Sequence, residues 1–198
     1  MSGKSRKIGC AVLVLVAIGA IALWWLKSAS GFSARQQPTR VEAILAGNAR
    51  RMAIPSAAKA MRNPMEPAPD MLIEARRHFA DHCAVCHANN GSGDTEVGRN
   101  LYPKAPDMRE PATQSLTDGE IYFIIHNGIR MSGMPAWGNE SAGDHDHDSW
   151  MLVHFIRHLP RLTPEELQDM AKFNPQSPAE MQEQKEEEKF LNGKPAKK

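Results

Sequence analysis

The chain brings two cysteines and a histidine together in the segment Cys83-Ala84-Val85-Cys86-His87. A helix is predicted directly before this segment, because apolar residues recur there on one helical face and Asp70 can cap its start. The residues on that face are Leu72, Ala75, Phe79 and Cys83. The first cysteine therefore lies at the end of a helix whose apolar side it shares.

The sequence after this segment predicts three more helices and no strand, since no run alternates between apolar and polar residues. Their predicted limits are Thr117 to Gly128, with a capping box of Thr117 and Glu120, Asp148 or Ser149 to Pro160, and Thr163 to Asn174. A long loop rich in Gly, Pro and Asn precedes the first of them. Such a loop is sensible in a compact domain when it wraps a cofactor. We therefore predict an all-α fold.

The spacing of Cys83, Cys86 and His87 is the C-x-x-C-H attachment motif of c-type haem. Two thiols three residues apart at a helix end can add to the two haem vinyl groups, and the next imidazole then faces the iron. Other uses of the cysteines fit less well. A thioredoxin-like site needs a βαβ pattern, and a structural zinc site needs four ligands. The one remaining cysteine, Cys10, lies in an apolar run. The sequence therefore predicts one covalently bound haem c.

A pure electron carrier needs a second axial ligand on the iron, and the best candidate is Met134. It lies beyond the second helix, so the chain can return to the opposite face of the haem. A thioether ligand favours Fe(II) and raises the reduction potential. Met131 is the alternative, three residues earlier. Gly133 and Pro135 favour Met134, because they allow a tight extended loop to approach the porphyrin.

With these motifs, residues 70–160 resemble a class I cytochrome c domain. The resemblance rests on the segment 83–87, on Gly133-Met134-Pro135-Ala136-Trp137 and on the final helix over 150–159. It covers a little under half of the chain. It implies a three-helix fold in which the first and last helices of the domain cross, with the haem edge partly exposed.

The resemblance also implies a proline whose carbonyl accepts a hydrogen bond from His87 Nδ1 and so fixes the imidazole ring. Pro103 and Pro106 are the candidates, and we favour Pro106. Arg99 and Tyr102 can reach the haem propionates, although exposed loop residues are an equally good interpretation of both.

The first 28 residues are predicted to be an N-terminal transmembrane anchor. An uncharged run over residues 8–26 follows three basic residues, Lys4, Arg6 and Lys7. As a helix it would rise about 28 Å, close to the thickness of the hydrocarbon core. The basic flank predicts that everything after Lys27 lies outside the cytoplasm. A signal peptide cleaved near Ser28 is the alternative, but it needs a shorter apolar core.

The remaining segments carry weaker patterns. Residues 29–69 are predicted to be a membrane-proximal segment, with helical spacing over 41–52 and then a Pro-rich linker. Residues 161–198 are predicted to be a helix and a mixed-charge tail, helical or disordered. The net charge of +1 gives no indication of nucleic-acid binding.

The other histidines are weighed as ligands. His145 and His147 resemble a metal-binding tract, but a solvated acidic loop is the better interpretation. His154 and His158 lie four apart on a helix, where ordinary surface or core roles are favoured. His78, His82 and His126 lie near the haem in sequence, and any of them can replace Met134 and lower the potential.

These patterns predict a single-haem electron carrier tethered to a bacterial inner membrane by one pass, with its haem domain on the periplasmic side. Its expected contacts are membrane lipid along residues 8–26 and redox proteins. A quinol-oxidising complex or dehydrogenase would supply electrons, and a terminal oxidase or reductase would accept them. The alternatives are a fixed cytochrome c subunit of a larger membrane oxidoreductase complex, or a haem sensor or enzyme with a labile sixth ligand.

Overall fold

The computed structural model describes residues 3–27, 33–139, 146–176 and 178–191 of the chain. Over these residues the secondary structure is helical and contains no strand, which confirms the predicted all-α fold. Helix α1 runs from Gly3 to Lys27. Its segment Ile8–Trp25 has a mean hydropathy of 2.5 and no part of it is buried. By length and composition this helix can cross a membrane, a criterion that a signal sequence near the N-terminus also meets.

Two helices follow in the membrane-proximal segment. Helix α2 spans Arg40–Ala53 and contains the stretch predicted from its helical spacing. Thr39 and Glu42 form a capping box at its start, with Thr39 Oγ1 accepting from Glu42 N and Glu42 Oε2 accepting from Thr39 N. Helix α3 is a short helix over Ser56–Ala60.

Helix α4 spans Pro69–His78 and leads into the cysteine segment. Ala68 occupies the capping position and Pro69 the first helical position, so the prediction that Asp70 caps this helix is wrong. Asp70 lies instead in the first turn, where its charge complements the helix dipole. A π-helical turn, Phe79–Cys83, follows directly, and helix α5 spans Ala84–His87. Turns of this kind are frequent at functional sites.

The remaining helices complete the domain and the C-terminal region. They are α6 Glu96–Asn100, α7 Pro111–Gln114, α8 Asp118–Asn127, α9 His147–His158, α10 Pro164–Ala171 and α11 Pro178–Leu191. The predicted capping box at the start of α8 is confirmed, and Gly128 ends that helix. Helix α9 begins earlier than predicted, because the Asp146 side chain accepts a hydrogen bond from Ser149 N. Helix α10 ends at Ala171, three residues before the predicted Asn174.

The core forms where α4 and α9 pack against each other and α8 packs against α9. The rings of Phe79 and Phe155 lie 5.0 Å apart, and those of Tyr122 and Trp150 stack at 4.1 Å. Val153 of α9 is also fully buried. The helices that flank the haem motif in sequence are therefore held together by a compact aromatic core.

Helix α10 is attached to this core by charge as well as packing. Arg76 of α4 donates to Glu166 at 3.1 Å and to Asp169 at 2.9 Å. Met170 is fully buried. The C-terminal helix that follows residue 160 is thus packed against α4, the helix that leads into the cysteine segment.

The Pro-rich segment before α4 also contacts the domain. Ile54 and Ala58 are buried, and α3 packs against α8. Asn63 Nδ2 donates to the carbonyl of Trp150 at 2.9 Å, and His154 Nε2 donates to the carbonyl of Met65 at 2.8 Å. Residues 54–65 therefore run along the surface of the domain, in contact with it, although the sequence predicts a linker there.

Candidate haem site

An apolar cavity of about 480 Å³ lies between the cysteine segment, the loop before α7 and the loop after α8. This volume is in the range of small-molecule and cofactor sites. The cavity is lined by the predicted haem-attachment residues, the favoured methionine and both candidate prolines: Cys83, Cys86, His87, Met134, Pro103 and Pro106. Residues from three separate parts of the chain therefore meet around one space.

The cysteine segment enters the cavity at the junction of the π-helical turn and α5. Ala88 adopts a φ of +59°, and its N–H donates to the Ala84 carbonyl at 2.8 Å. The chain thus leaves the helix directly after His87. This abrupt end leaves Cys83, Cys86 and His87 together on the cavity wall.

The two thiols are free and have the chemistry of buried groups. Burial, with a smaller effect of Cys86, raises the pKa of Cys83 to about 12, and burial also raises the pKa of Cys86. A redox-active cysteine needs the opposite, a lowered thiol pKa. Over the residues that the structure describes, no three His, Cys, Asp or Glu side chains are grouped to hold a metal ion. The raised thiol pKa values argue against thiol redox chemistry at these cysteines.

The imidazole of His87 is partly buried, and its shielded Nδ1 has no hydrogen-bond partner of good geometry among the described residues. Desolvation lowers the pKa of His87, and the neighbouring carbonyl of Pro106 partly offsets this by raising it. Of the two candidate prolines, Pro106 is therefore the one whose carbonyl acts on His87.

Two glycines hold the Pro106 loop against the cysteine segment. Gly93 has a φ of +71°, and a Cβ there would clash with the Ala105 carbonyl oxygen. Gly93 N donates to the His87 carbonyl at 2.8 Å, and Ala105 N donates to the Gly98 carbonyl at 3.1 Å. A Cβ at Gly98 would clash with the Cys86 carbonyl oxygen. The absence of side chains here lets the loop approach His87 closely.

The loop after α8 brings Met134 to the cavity, whereas Met131 points away from it and is 93% exposed. Ile129 N donates to the Met134 carbonyl at 3.0 Å, and Met134 N donates to Ser132 Oγ at 3.1 Å. These bonds close a tight turn. Of the two methionines considered as ligands, Met134 is the one that lines the site.

Asp146 holds the far end of this loop. Its Oδ2 accepts from His126 Nδ1 at 3.0 Å, from Asn139 N at 3.2 Å and from Ser149 Oγ at 2.8 Å. Burial raises the pKa of Asp146, but hydrogen bonds from Ser149, His126 and Asn139 outweigh it, and the net pKa is lowered. The carboxylate therefore ties α8, α9 and the Met134 loop together. The sequence analysis missed this role, although an Asp three residues before Ser149 is a capping signal.

Two candidate propionate partners lie apart from the cavity. Arg99 pairs with Asp94, and both side chains are more than half exposed. Tyr102 approaches Glu42 of α2, and partial desolvation together with that carboxylate raises the pKa of Tyr102. Neither residue lines the cavity.

The other histidines are accounted for by ordinary contacts. His154 donates to Met65, and His158 pairs with Glu166 at 3.1 Å. His82 lines the cavity, where it packs against His78 and Trp137. His147 is in the first turn of α9, and His145 lies outside the described residues.

Arg50 is a cavity-lining residue that the sequence analysis missed. It belongs to α2, outside the segment that resembles a cytochrome domain, and its Nε is buried without a partner among the described residues. No local pattern in the sequence marks this arginine, because its place depends on how the chain after α2 packs on the domain, where Ile54 and Ala58 are buried.

These residues fit a covalently attached haem. Two free thiols, the imidazole of His87 and the thioether of Met134 meet in an apolar cavity that Arg50 also lines. His87 Nδ1 and Arg50 Nε are shielded from solvent and have no hydrogen-bond partner among the described residues. Comparison with known families agrees. Residues 71–156 match the family described as cytochrome c oxidase, cbb3-type, subunit III, and they form a class I c-type cytochrome domain with covalently bound haem c. No curated protein matches the chain.

Proposed function

We propose, from the premise that residues 71–156 are a class I c-type cytochrome domain, that this protein is a membrane-tethered carrier of single electrons. The observation that carries the proposal is the meeting of Cys83, Cys86, His87 and Met134 around one apolar cavity. The haem supplies a one-electron couple, and the chain's own residues hold it, orient it and exclude water from it.

Each residue has a distinct role in this proposal. Cys83 and Cys86 would hold the haem through thioether links, and His87 and Met134 would ligate its iron. The Pro106 carbonyl beside His87 would accept the Nδ1 hydrogen, which would orient the ring and strengthen the ligand. Because two protein side chains would hold the iron, no position would be left for a substrate, and the haem would serve electron transfer.

The proposed organisation has four parts. Residues 1–28 form the anchor, 29–69 a membrane-proximal segment, 70–160 the cytochrome domain and 161–198 a C-terminal extension. The apolar helix supports a single pass through the bacterial inner membrane, and the basic residues before it favour a periplasmic haem domain. The proposed partners are a quinol-oxidising complex or dehydrogenase upstream and a terminal oxidase or reductase downstream.

The experiment is to replace Met134 by leucine and to use Met131→Leu as the matched control. Oxidised wild-type protein should show a Met-to-iron charge-transfer band, which Met134→Leu should lose while Met131→Leu keeps it. Reduced wild type should not bind carbon monoxide at neutral pH, and reduced Met134→Leu should bind it. Loss of the band only in Met131→Leu would assign the ligand role to Met131 instead of Met134. Carbon monoxide binding by wild type would favour a sensor.

The second candidate function is a fixed subunit of a membrane oxidoreductase complex. The matched family is described as a subunit of an oxidase, and segments outside residues 71–156 exceed what a minimal carrier needs. Gentle solubilisation of the native membrane followed by sizing of the haem-stained band separates the two. A species near 21.9 kDa plus detergent supports the free carrier, and a large stable assembly supports the subunit.

A further inference from the structure

The guanidinium of Arg50 faces the haem cavity from outside the cytochrome domain. The residue lies in the last turn of α2, upstream of the matched residues 71–156. It is partly buried, and its Nε is shielded from solvent without a hydrogen-bond acceptor among the described residues. A buried donor of this kind is unfavourable unless a ligand supplies the acceptor.

The position of Arg50 is fixed by the packing of the segment that follows it. Ile54 is 3% exposed and caps α2, with its N–H donating to the Arg50 carbonyl at 3.2 Å. Ala58 of α3 is buried against Gly119 of α8, where any side chain on the glycine would meet the Ala58 carbonyl. Thr117 Oγ1 donates to the Lys59 carbonyl at 3.0 Å. The end of α2 is therefore attached to the domain.

The described lining of the cavity contains cationic side chains but no carboxylate. Arg50 and Lys104 are the arginine and lysine in the described lining, and no Asp or Glu is among the lining residues. Two arginines that follow the cysteine segment in the chain have carboxylate partners of their own. Arg99 pairs with Asp94, and Arg109 pairs with Asp107 at 2.6 Å. The Nε of Arg50, in contrast, has no acceptor among the described residues.

We propose that Arg50 donates to a propionate carboxylate of the bound haem, so that the membrane-proximal helix forms part of the cofactor site and raises the reduction potential. Haem carries two such carboxylates on one edge. An arginine binds a carboxylate through its planar fork of donors, and a charge-assisted bond of this type is stronger than a neutral one. A cation beside the haem favours the reduced form, which carries one positive charge less.

The inference rests on haem attachment in the proposed function, but not on which proteins exchange electrons. Its test uses the full chain, matured with haem, in three variants. Arg50→Gln removes the charge, and Arg50→Lys keeps the charge but loses the fork. Arg51→Gln is the matched control, because Arg51 is the next residue of the same helix and is exposed. The measurement is the midpoint potential by spectroelectrochemistry at fixed pH and ionic strength.

We expect Arg50→Gln to lower the reduction equilibrium constant by about threefold to tenfold, as a charge near the haem would. A tenfold change corresponds to about 59 mV for one electron. The midpoint potential of Arg51→Gln should differ from that of wild type by only a small fraction of this shift. The potential of Arg50→Lys should fall by less than half as much as that of Arg50→Gln. The Met-to-iron band reports whether the Met134 loop stays intact in each variant.

Two outcomes would overturn the inference. Equal potentials in Arg50→Gln and Arg51→Gln would mean that Arg50 does not act on the haem. An equal fall in Arg50→Lys and Arg50→Gln would assign the effect to packing, since lysine keeps the charge. If Arg50→Gln fails to mature, the potential of Arg50→Lys against wild type decides between charge and packing. Wild-type protein without covalent haem would sink the proposed function itself, before any variant is compared.

Discussion

Substituting Gly119 by alanine should destabilise the domain, although alanine is normally the better helix former. Gly119 lies in the first turn of α8, against the carbonyl of Ala58 in α3. A Cβ there would come within 2.9 Å of Met61 Cβ and even closer to the Ala58 carbonyl oxygen. A backbone carbonyl cannot rotate away as a flexible side chain can. Helix α3 must therefore move away from α8.

The expected loss of stability in Gly119→Ala is the difference between two opposing free-energy effects. Overpacking a tight contact costs about 1–3 kcal/mol, and replacing glycine by alanine within a helix gains at most about 1 kcal/mol. A clash with backbone atoms of Ala58 places the cost near the upper end of its range, so the net loss of stability is about 2 kcal/mol. For a domain of this size each kcal/mol shifts the midpoint of thermal unfolding by roughly 4–8 °C. This shift can be measured by monitoring the thermal unfolding of the haem-loaded protein with far-UV circular dichroism.

Gly47 provides the matched control. It lies in the middle of α2, and a Cβ there would have nothing within 4 Å. The same substitution at Gly47 should leave stability unchanged or raise it by up to about 1 kcal/mol. The reasoning is refuted if Gly119→Ala is as stable as Gly47→Ala, because α3 would then not be packed on α8 as described.

Three further substitutions test other contacts. Gly128→Ala should weaken the Met-to-iron band, because Gly128 has a φ of +66° and a Cβ there would lie 2.8 Å from the Met134 carbonyl oxygen; an unchanged band would contradict this. Asp146→Asn should lower stability at pH 7. Because the folded pKa of Asp146 is below the unfolded value near 4, its contribution is present above that value and is lost as the pH falls through the folded pKa. Urea midpoints of wild type and variant should therefore converge towards pH 3. Arg157→Lys should cost about 1–3 kcal/mol, because Arg157 donates to Asp118 and to two carbonyls; a urea midpoint within error of wild type would contradict it.

The proposed haem residues could be predicted to lie around one site because their signal is local. The spacing of Cys83, Cys86 and His87 is that of a haem-attachment motif, and a glycine and a proline flank Met134. The cavity brings these residues together, with Met131 exposed outside it. Short-range patterns were enough here, because attachment chemistry restricts both the residue types and their spacing.

The residues that escaped prediction act over long distances in the chain. Arg50 reaches the cavity only because Ile54 and Ala58 are buried and α3 meets α8 at Gly119. Proline and alanine around residue 55 indicate a break in the helix, but they do not say what the broken segment packs against. Asp146 likewise looks like part of a solvated acidic run, and its burial depends on His126 from another helix.

The packed segment also shortens the proposed tether. If residues 29–69 were a free linker, the domain could move up to about 150 Å from the anchor. Since α3 and the end of α2 are attached to the domain and α2 is helical, the length that can extend reduces to the 12 residues between Lys27 and Arg40. Whatever their conformation, 12 residues span at most about 43 Å. A short tether raises the effective concentration of the haem near membrane-bound partners and excludes distant ones. The segment that brings Arg50 to the haem would therefore also restrict which partners the haem can reach.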